Sequence, residues 1–345
     1  MKVLLTGGAG FIGSNLVRLL LHDAPDLEIT NLDKLTYAGN LESLAGVANS
    51  PRYRFVRADV ADARAVERVF AKGFDAVLHL AAETHVDRSL EDAAPFLRTN
   101  VLGTHVLLEA ARRHGIGRFV HISTDEVYGS APAGAFFDES APLHPSSPYA
   151  ASKAAADLLV SSYVHTFHVP AVILRCTNNF GPYQFPEKLL PLAIANALED
   201  RPLPVYGDGM QERDWIYVED YCRAIHLALE RGRPGEIYNV SAGRPRANLD
   251  VLRALLALVG KPESLIKFVE DRPGHDRRYA LDSGKFRNEL GWAPQNDFER
   301  ALAATVEWNR ANAEWLERCR SGAYRNYYRR NYTERKKTLE RWQSS

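Results

Sequence analysis

The chain has 345 residues, 46% hydrophobic and 25% charged, a composition that supports a large packed core and excludes a disordered or fibrous protein. Its 43 Lys and Arg balance 43 Asp and Glu, so net charge gives no pull toward nucleic acid or a membrane surface. Three scattered cysteines, Cys176, Cys222 and Cys319, form neither a C-x-x-C pair nor a disulfide framework; no apolar run approaches the ~20 residues of a membrane span, and Met1 runs straight into a strand with no signal segment, so a cytoplasmic protein is expected.

Taken in chain order, "KVLLT" reads as a strand and "FIGSNLVRLLLH" as an amphipathic helix, with "TGGAGFIG" between them. Gly8, Gly10 and Gly13 fit G-x-G-x-x-G, and Gly7, Gly10 and Gly13 fit the wider G-x-x-G-x-x-G spacing. Glycines there permit a tight turn and close approach of backbone amides to a pyrophosphate at the helix N-terminus. A second strand, "EITNLD", ends at Asp33, twenty residues after Gly13. A carboxylate at that place accepts hydrogen bonds from both ribose hydroxyls and repels a 2′-phosphate, which favours NAD over NADP; Lys34 beside it weakens the preference slightly.

Further strands are expected at "YRFVRADV", which closes on Asp59-Val60, at "FDAVLHLAA" and at "GRFVHIST", with helices at "ARAVERVFAK" and "APFLRTNVLGTHVLLEAARRH". Strand and helix alternate and the strands are apolar and β-branched, which predicts a parallel sheet covered on both faces. Ligands of such sheets bind beyond the carboxyl ends of the strands, so Leu80 to Thr84, in "LAAET", belong to the cofactor neighbourhood. "GRFVHIST" then runs into Asp125 and Glu126. Two acids at the end of an apolar strand are costly unless solvated, paired or used.

The next helix, about 147–168, carries Tyr149-x-x-x-Lys153 on one face. A free phenol, with its pKa near ~10, is a poor base; a neighbouring ammonium lowers that value, and a tyrosine so tuned can take an alcohol proton as the carbon is oxidised. After the strand "PAVILRC" the rhythm breaks at "NFGPYQFPEK", and the later strands "PLPVYG", "GEIYNV" and "LIKFVE" are short. The fold class expected is α/β: a Rossmann-type doubly wound parallel sheet over 1–180, rejoined by about 207–240, with a smaller interleaved substrate lobe over 181–345. The stretch 318–341 holds nine Lys or Arg against two Glu and reads as a solvated tail packed by its tyrosines rather than a nucleic-acid arm. His165 and His168, three apart on a helix, lack an acid or Cys partner in sequence, so no metal is expected.

From end to end the chain resembles the extended short-chain dehydrogenase/reductase family. The likeness runs through "LTGGAGFIGSN", "NLDKLTYAGN", "HLAAETHVDRS", "STDEVYG", "PYAASKA", "NNFGPYQFPEKLLPL", "ERDWIYVEDY" and "DRPGHDRRYA". "DKLTYAGN" and "TDEVYG" are similar to the 4,6-dehydratases of nucleotide sugars within it. That resemblance implies NAD held by Gly7, Gly10, Phe11, Ile12, Gly13, Asp33, Lys34, Leu35, Thr36, Asp59, Val60, Leu80, Ala81, Ala82, Thr99, Tyr149, Lys153 and Asn179. It implies dTDP-glucose as substrate, oxidised at C4 by Tyr149 with Thr124 on the same oxygen. Glu126 would take the C5 proton and Asp125 would protonate the departing C6 hydroxyl, as part of deoxysugar or rhamnose synthesis. Phosphate, sugar and nucleoside contacts would come from Thr84, Asn178, Lys188, Leu189, Pro204, Tyr206, Arg213, Asn248, Arg272 and His275, Tyr206 stacking on the base. Thr84 and Thr177 stand where serine is as readily expected. A homodimer through the helices 94–114 and 147–168 is implied as well. An epimerase, a decarboxylase or a dehydratase of another nucleotide sugar, all of the same fold, remain alternatives, and the adjacent acids argue against the first two.

Overall fold

A computed structural model describes residues 1–320, 326 and 328–344 of the chain. The basic, tyrosine-rich stretch noted above therefore lies partly outside the described residues.

Seven parallel strands make the main sheet: β1 (Lys2–Thr6), β2 (Glu28–Asp33), β3 (Tyr53–Arg57), β4 (Ala76–His79), β5 (Arg118–Thr124), β6 (Ala171–Cys176) and, last in the chain, Ile237–Val240. Their spatial order is 3-2-1-4-5-6, with the late strand Ile237–Val240 added beside β6. The order reverses between β1 and β4, and a crevice opens there beyond the strand ends. Strands buried on both sides must be apolar on both sides, and Val3, Leu4 and Leu5 are fully buried in β1. Two cores result. One packs α1 (Phe11–Asp23) and the helix Val218–Arg231 on one face of the sheet. The other packs α2 (Ala63–Phe70), α5 (Gly103–Arg113) and α6 (Pro148–Phe167) on the opposite face, with the short α3 (Val86–Glu91) and α4 (Ala94–Phe96) between α2 and α5 in the chain.

The helix expected over 94–114 is not regular. Between α4 (Ala94–Phe96) and α5, Leu97–Leu102 form a π-type turn. The widened turn aims Asn100 at the backbone after β4: its Oδ1 accepts from Glu83 N at 2.9 Å and its Nδ2 donates to Glu83 O at 3.0 Å. A side chain that replaces backbone partners in this way is not visible as a helical period.

The second lobe has its own core, built on Phe180, Leu190, Ile194, Leu203, Leu252 and Leu302. Its strand pairs are short. Leu203–Tyr206 pairs parallel with Ile266–Val269, and Glu212–Arg213 antiparallel with Arg246–Ala247.

Below the carboxyl ends of β5 and β6 lies a buried polar network. Arg175 donates from Nε to Asp157 Oδ2 at 2.8 Å and from Nη1 to the Tyr128 hydroxyl at 2.7 Å, and Tyr128 donates to Asn239 Oδ1 at 2.9 Å. His121 stands 3.4 Å from Asp157. Asp157 follows Tyr149 and Lys153 at four-residue steps on α6, so this network anchors the helix face that carries them. Removing one partner of such a pair leaves a buried charge. Asp157→Ala is therefore expected to destabilise the protein by about 3–5 kcal/mol, read as a lower midpoint of denaturant unfolding.

Candidate active site

The crevice begins at the glycine loop. Gly7 adopts φ +75°, and a Cβ there would stand 2.7 Å from Ala81 N; one on Gly13 would stand 2.2 Å from Gly7 O. Neither position admits a side chain. Gly10 meets nothing closer than 3.3 Å, so its bare face opens on the crevice. Asp33 fastens the loop: Ala9 N–H donates to its Oδ2 at 2.9 Å and Leu35 N–H to its Oδ1 at 2.8 Å. Burial raises its pKa and these two amides oppose the rise. Each oxygen keeps a lone pair for a ribose hydroxyl. Lys34 turns to Asp59 at 2.8 Å, and Arg98 joins it at 3.4 Å.

Of the residues expected around a dinucleotide, all but Leu35 line this crevice, from the glycines and Asp33 through Leu80, Ala81 and Ala82 to Thr99, Tyr149, Lys153 and Asn179. Leu35 is not among them. It takes φ +58° to deliver its N–H to Asp33. The bare glycine cradle, the open carboxylate and the buried Asn179 Oδ1, which has no partner among the described residues, fit a dinucleotide.

At the inner end, β5 ends at Thr124, whose side chain caps the turn Asp125–Tyr128 by accepting from Glu126 N at 3.3 Å. Asp125 is 4% exposed. Burial, and then the charge of Glu126, push its pKa well above its ordinary value, toward the protonated form. Thr124 donates to its Oδ1 at 3.2 Å, and its Oδ2 has no partner among the described residues. Glu126 is raised by burial, but Arg272, Arg213 and Lys188 pull it back. Both carboxyls are thus raised, Asp125 the more strongly, while Glu126 alone faces three cations that favour its charged form.

Ser147 caps α6 by accepting from Ala150 N at 3.1 Å, which sets Tyr149 on the first turn with its phenol against Thr124. Burial, then the charge of Glu126, push the phenol well above its usual value, with Thr124 opposing. The sequence expectation was the reverse, an ammonium lowering it. Lys153 donates to Ile122 O at 2.6 Å, and burial lowers its own pKa to about 8 while Asp157 opposes. Desolvation is the largest force on this phenol, and it acts against the phenolate.

The substrate-lobe residues are divided. Thr84, Thr124, Asn178 and Lys188 line the crevice; Leu189, Pro204, Tyr206, Arg213, Asn248, Arg272 and His275 are not part of its lining. Arg213 spends Nη1 and Nη2 on the carbonyls of Glu212 and Asp276. Arg272 pairs with Asp87 at 3.2 Å, and its buried Nε has no partner among the described residues. Asn248 Oδ1 is likewise buried without one, and His275 is paired to Asp271 at 2.6 Å. Tyr206 donates to Asp87 Oδ2 at 2.7 Å. Its ring stacks on Tyr332 of the C-terminal segment at 5.9 Å, with Arg335 at 4.6 Å.

Residue-type reasoning missed the strap. The segment 180–188, from which the sequence singled out Lys188 alone as a contact, crosses the crevice and is tied on both sides. Glu187, 4% exposed, accepts from the Tyr37 hydroxyl at 2.8 Å and from Arg88 at 3.1 and 3.3 Å. Arg88 lies 3.9 Å over the Tyr37 ring. Lys188 donates to Thr84 O at 2.9 Å and Asn15 to Pro182 O at 2.9 Å. The Pro and aromatic content of "NFGPYQFPEK" was the available signal for an ordered crossing.

The chain matches, over residues 4–305, the sequence profile of the family described as GDP-mannose 4,6 dehydratase. It is 49% identical to a dTDP-glucose 4,6-dehydratase of Shigella flexneri, covering 96% of this chain and 99% of that one. To that of Streptomyces niveus it is 51% identical over 93% and 96%. The crystal structure of dTDP-glucose 4,6-dehydratase from Streptomyces venezuelae, with NAD bound, superposes with a TM-score of 0.90 at 50% identity, covering 92% of this chain and 100% of that one.

Since the Glu187 ties are charge-assisted and buried, Glu187→Ala is expected to release NAD about ten- to a hundredfold faster. Tyr37→Phe should give a smaller effect. NAD remaining on the protein after repeated gel filtration measures both.

Proposed function

The chain belongs to the dTDP-glucose 4,6-dehydratase family, and from that premise we propose that it converts dTDP-glucose to dTDP-4-keto-6-deoxyglucose. The observation that carries the reading is the pair at the end of β5, beside Tyr149 and Lys153: one carboxyl held protonated by burial, its neighbour among three cations. Oxidation alone, or epimerisation, needs no such pair. Elimination of water needs a base for C5 and an acid for the C6 hydroxyl on one side of the sugar.

NAD, bound along the glycine loop, supplies a two-electron acceptor for C4 and the donor that later reduces C6. Tyr149, as its phenolate, takes the proton of the C4 hydroxyl, and Thr124, lying against that side chain, steadies the same oxygen. The ketone at C4 acidifies C5–H, and Glu126 removes it. Asp125 gives its proton to the C6 hydroxyl, which leaves as water, and the proton gained by Tyr149 makes good the one lost by Asp125 before the next turnover. A proton then returns to C5 from Glu126. Arg213, Arg272, Lys188 and Asn248 serve the diphosphate and sugar, and deoxysugar synthesis, rhamnose included, is the use we assign to the product. The three unpaired cysteines suit a reducing compartment, and the cytoplasm is the location assigned.

The helices around the site also leave large apolar side chains outside: Leu97, Leu102, Leu158 and Phe167, with Leu158 62% exposed. A second copy of the chain laid on α5 and α6 would cover them, making a homodimer.

Glu126→Gln keeps the shape of the side chain and removes the base. Dehydration, followed by mass spectrometry as loss of one water from dTDP-glucose, is expected to slow by about 10²–10⁴-fold, while oxidation at C4 persists. Normal dehydration by that variant contradicts the assignment. Leu158→Asp is expected to shift the protein from dimer to monomer in light scattering with its circular dichroism unchanged.

A further inference from the structure

The base of the proposed elimination has a neighbour that the mechanism leaves unused. Tyr279, 3% exposed, places its hydroxyl 3.4 Å from Glu126 Oε2 and 2.8 Å from Asp276 Oδ2. The same Asp276 oxygen accepts from the Ser146 hydroxyl. Ser146 is exposed, and Asp276 lies at the rim with 9% of its surface open. A continuous row of oxygens therefore runs from the wall of the active site to bulk water.

Other groups facing Glu126 cannot play this part. Arg213 and Arg272 only donate, Lys188 is committed to Thr84 O, and Tyr149 and Asp125 serve the C4 and C6 oxygens. A neutral phenol both accepts and donates. Burial, then Glu126, push the Tyr279 phenol well above its ordinary value, so its hydroxyl stays protonated, and Arg213 packed 4.0 Å from the ring centroid keeps the ring from turning away.

We propose that Tyr279, Asp276 and Ser146 form a proton wire that exchanges the proton taken from C5 with solvent. This rests on the dehydratase reading. Protonated Glu126 gives its proton to the Tyr279 oxygen as the phenol's own proton passes to Asp276 Oδ2. One O–H bond breaks and one forms at each transfer. Glu126 is again a carboxylate, Tyr279 is unchanged, and Asp276, now a neutral acid beside Ser146, exchanges with water. Run backwards, the wire supplies the proton that C5 receives at the end of the cycle.

The test uses the purified enzyme with its bound NAD and dTDP-glucose deuterated at C5, in ordinary water, with the isotope content of the dehydrated product read by mass spectrometry. Wild type is expected to lose the label. Tyr279→Phe is expected to keep it in most of the product, because Glu126 then returns the proton it took. A merely structural role would lower turnover without moving label retention. Asp276→Asn leaves the phenol in place and should raise retention in the same direction, which guards against a poorly folded phenylalanine variant. Product from both variants with the label lost as fully as in wild type overturns the wire. Failure of the wild type to remove water at all overturns the dehydratase reading, and the wire with it.

Discussion

Two neighbouring carboxyl groups, one of them sealed from water, oppose each other's charge, and the rest of this site depends on which one gives way. Burial is the larger force on Asp125, and the charge of Glu126 adds to it. Glu126 feels burial too, but Arg272, Arg213 and Lys188 oppose the rise. The protein thus obtains an acid and a base from two residues that are nearly identical in water. The cations come from the second lobe and its joining strap, the carboxyls from the end of a Rossmann strand. The division of labour requires both parts of the molecule to be in place.

The fold supplies that placement through short local devices. β5 is aligned by parallel pairing with β4 as far as His121 and with β6 through Thr124. Asp157 and Arg175 hold α6 to the sheet beneath the site, and Ser147 fixes where that helix begins. The π-type turn at Leu97–Leu102 brings Asn100 to Glu83 and to Ser152 of α6, the latter at 2.8 Å. Tyr149 and Lys153 therefore stand on a helix braced from three sides, as a site that must hold reacting groups within a fraction of an ångström requires.

Local parts of the account were legible in the sequence. The glycine loop, Asp33 and the alternation of strands and helices lie close along the chain, and one period or spacing describes each. Tyr149 and Lys153 share a helix turn. What the sequence hid was made by long-range meetings. Tyr37 and Glu187 are 150 residues apart, and Glu126 and Tyr279 are 153 apart; nothing local marks either pair. Leu35 looked like part of the crevice wall because its neighbours are, yet its backbone is spent on Asp33. The upward shift of Tyr149 is hidden from the sequence because Lys153 lies one turn away along the chain, whereas the burial that outdoes it comes from distant segments. Tyr206 was read as a platform for a base, and no residue spacing could announce that Tyr332, 126 positions later by number, would lie against its ring.

The central claim is that Asp125 holds a proton at neutral pH while Glu126 does not. Infrared difference spectra between the protein and its Asp125→Asn and Glu126→Gln variants test it directly. The protonated-carboxyl stretch present at neutral pH is predicted to vanish in the Asp125 variant and to survive in the Glu126 variant. Its loss from the Glu126 variant alone would reverse the roles of acid and base and contradict the account.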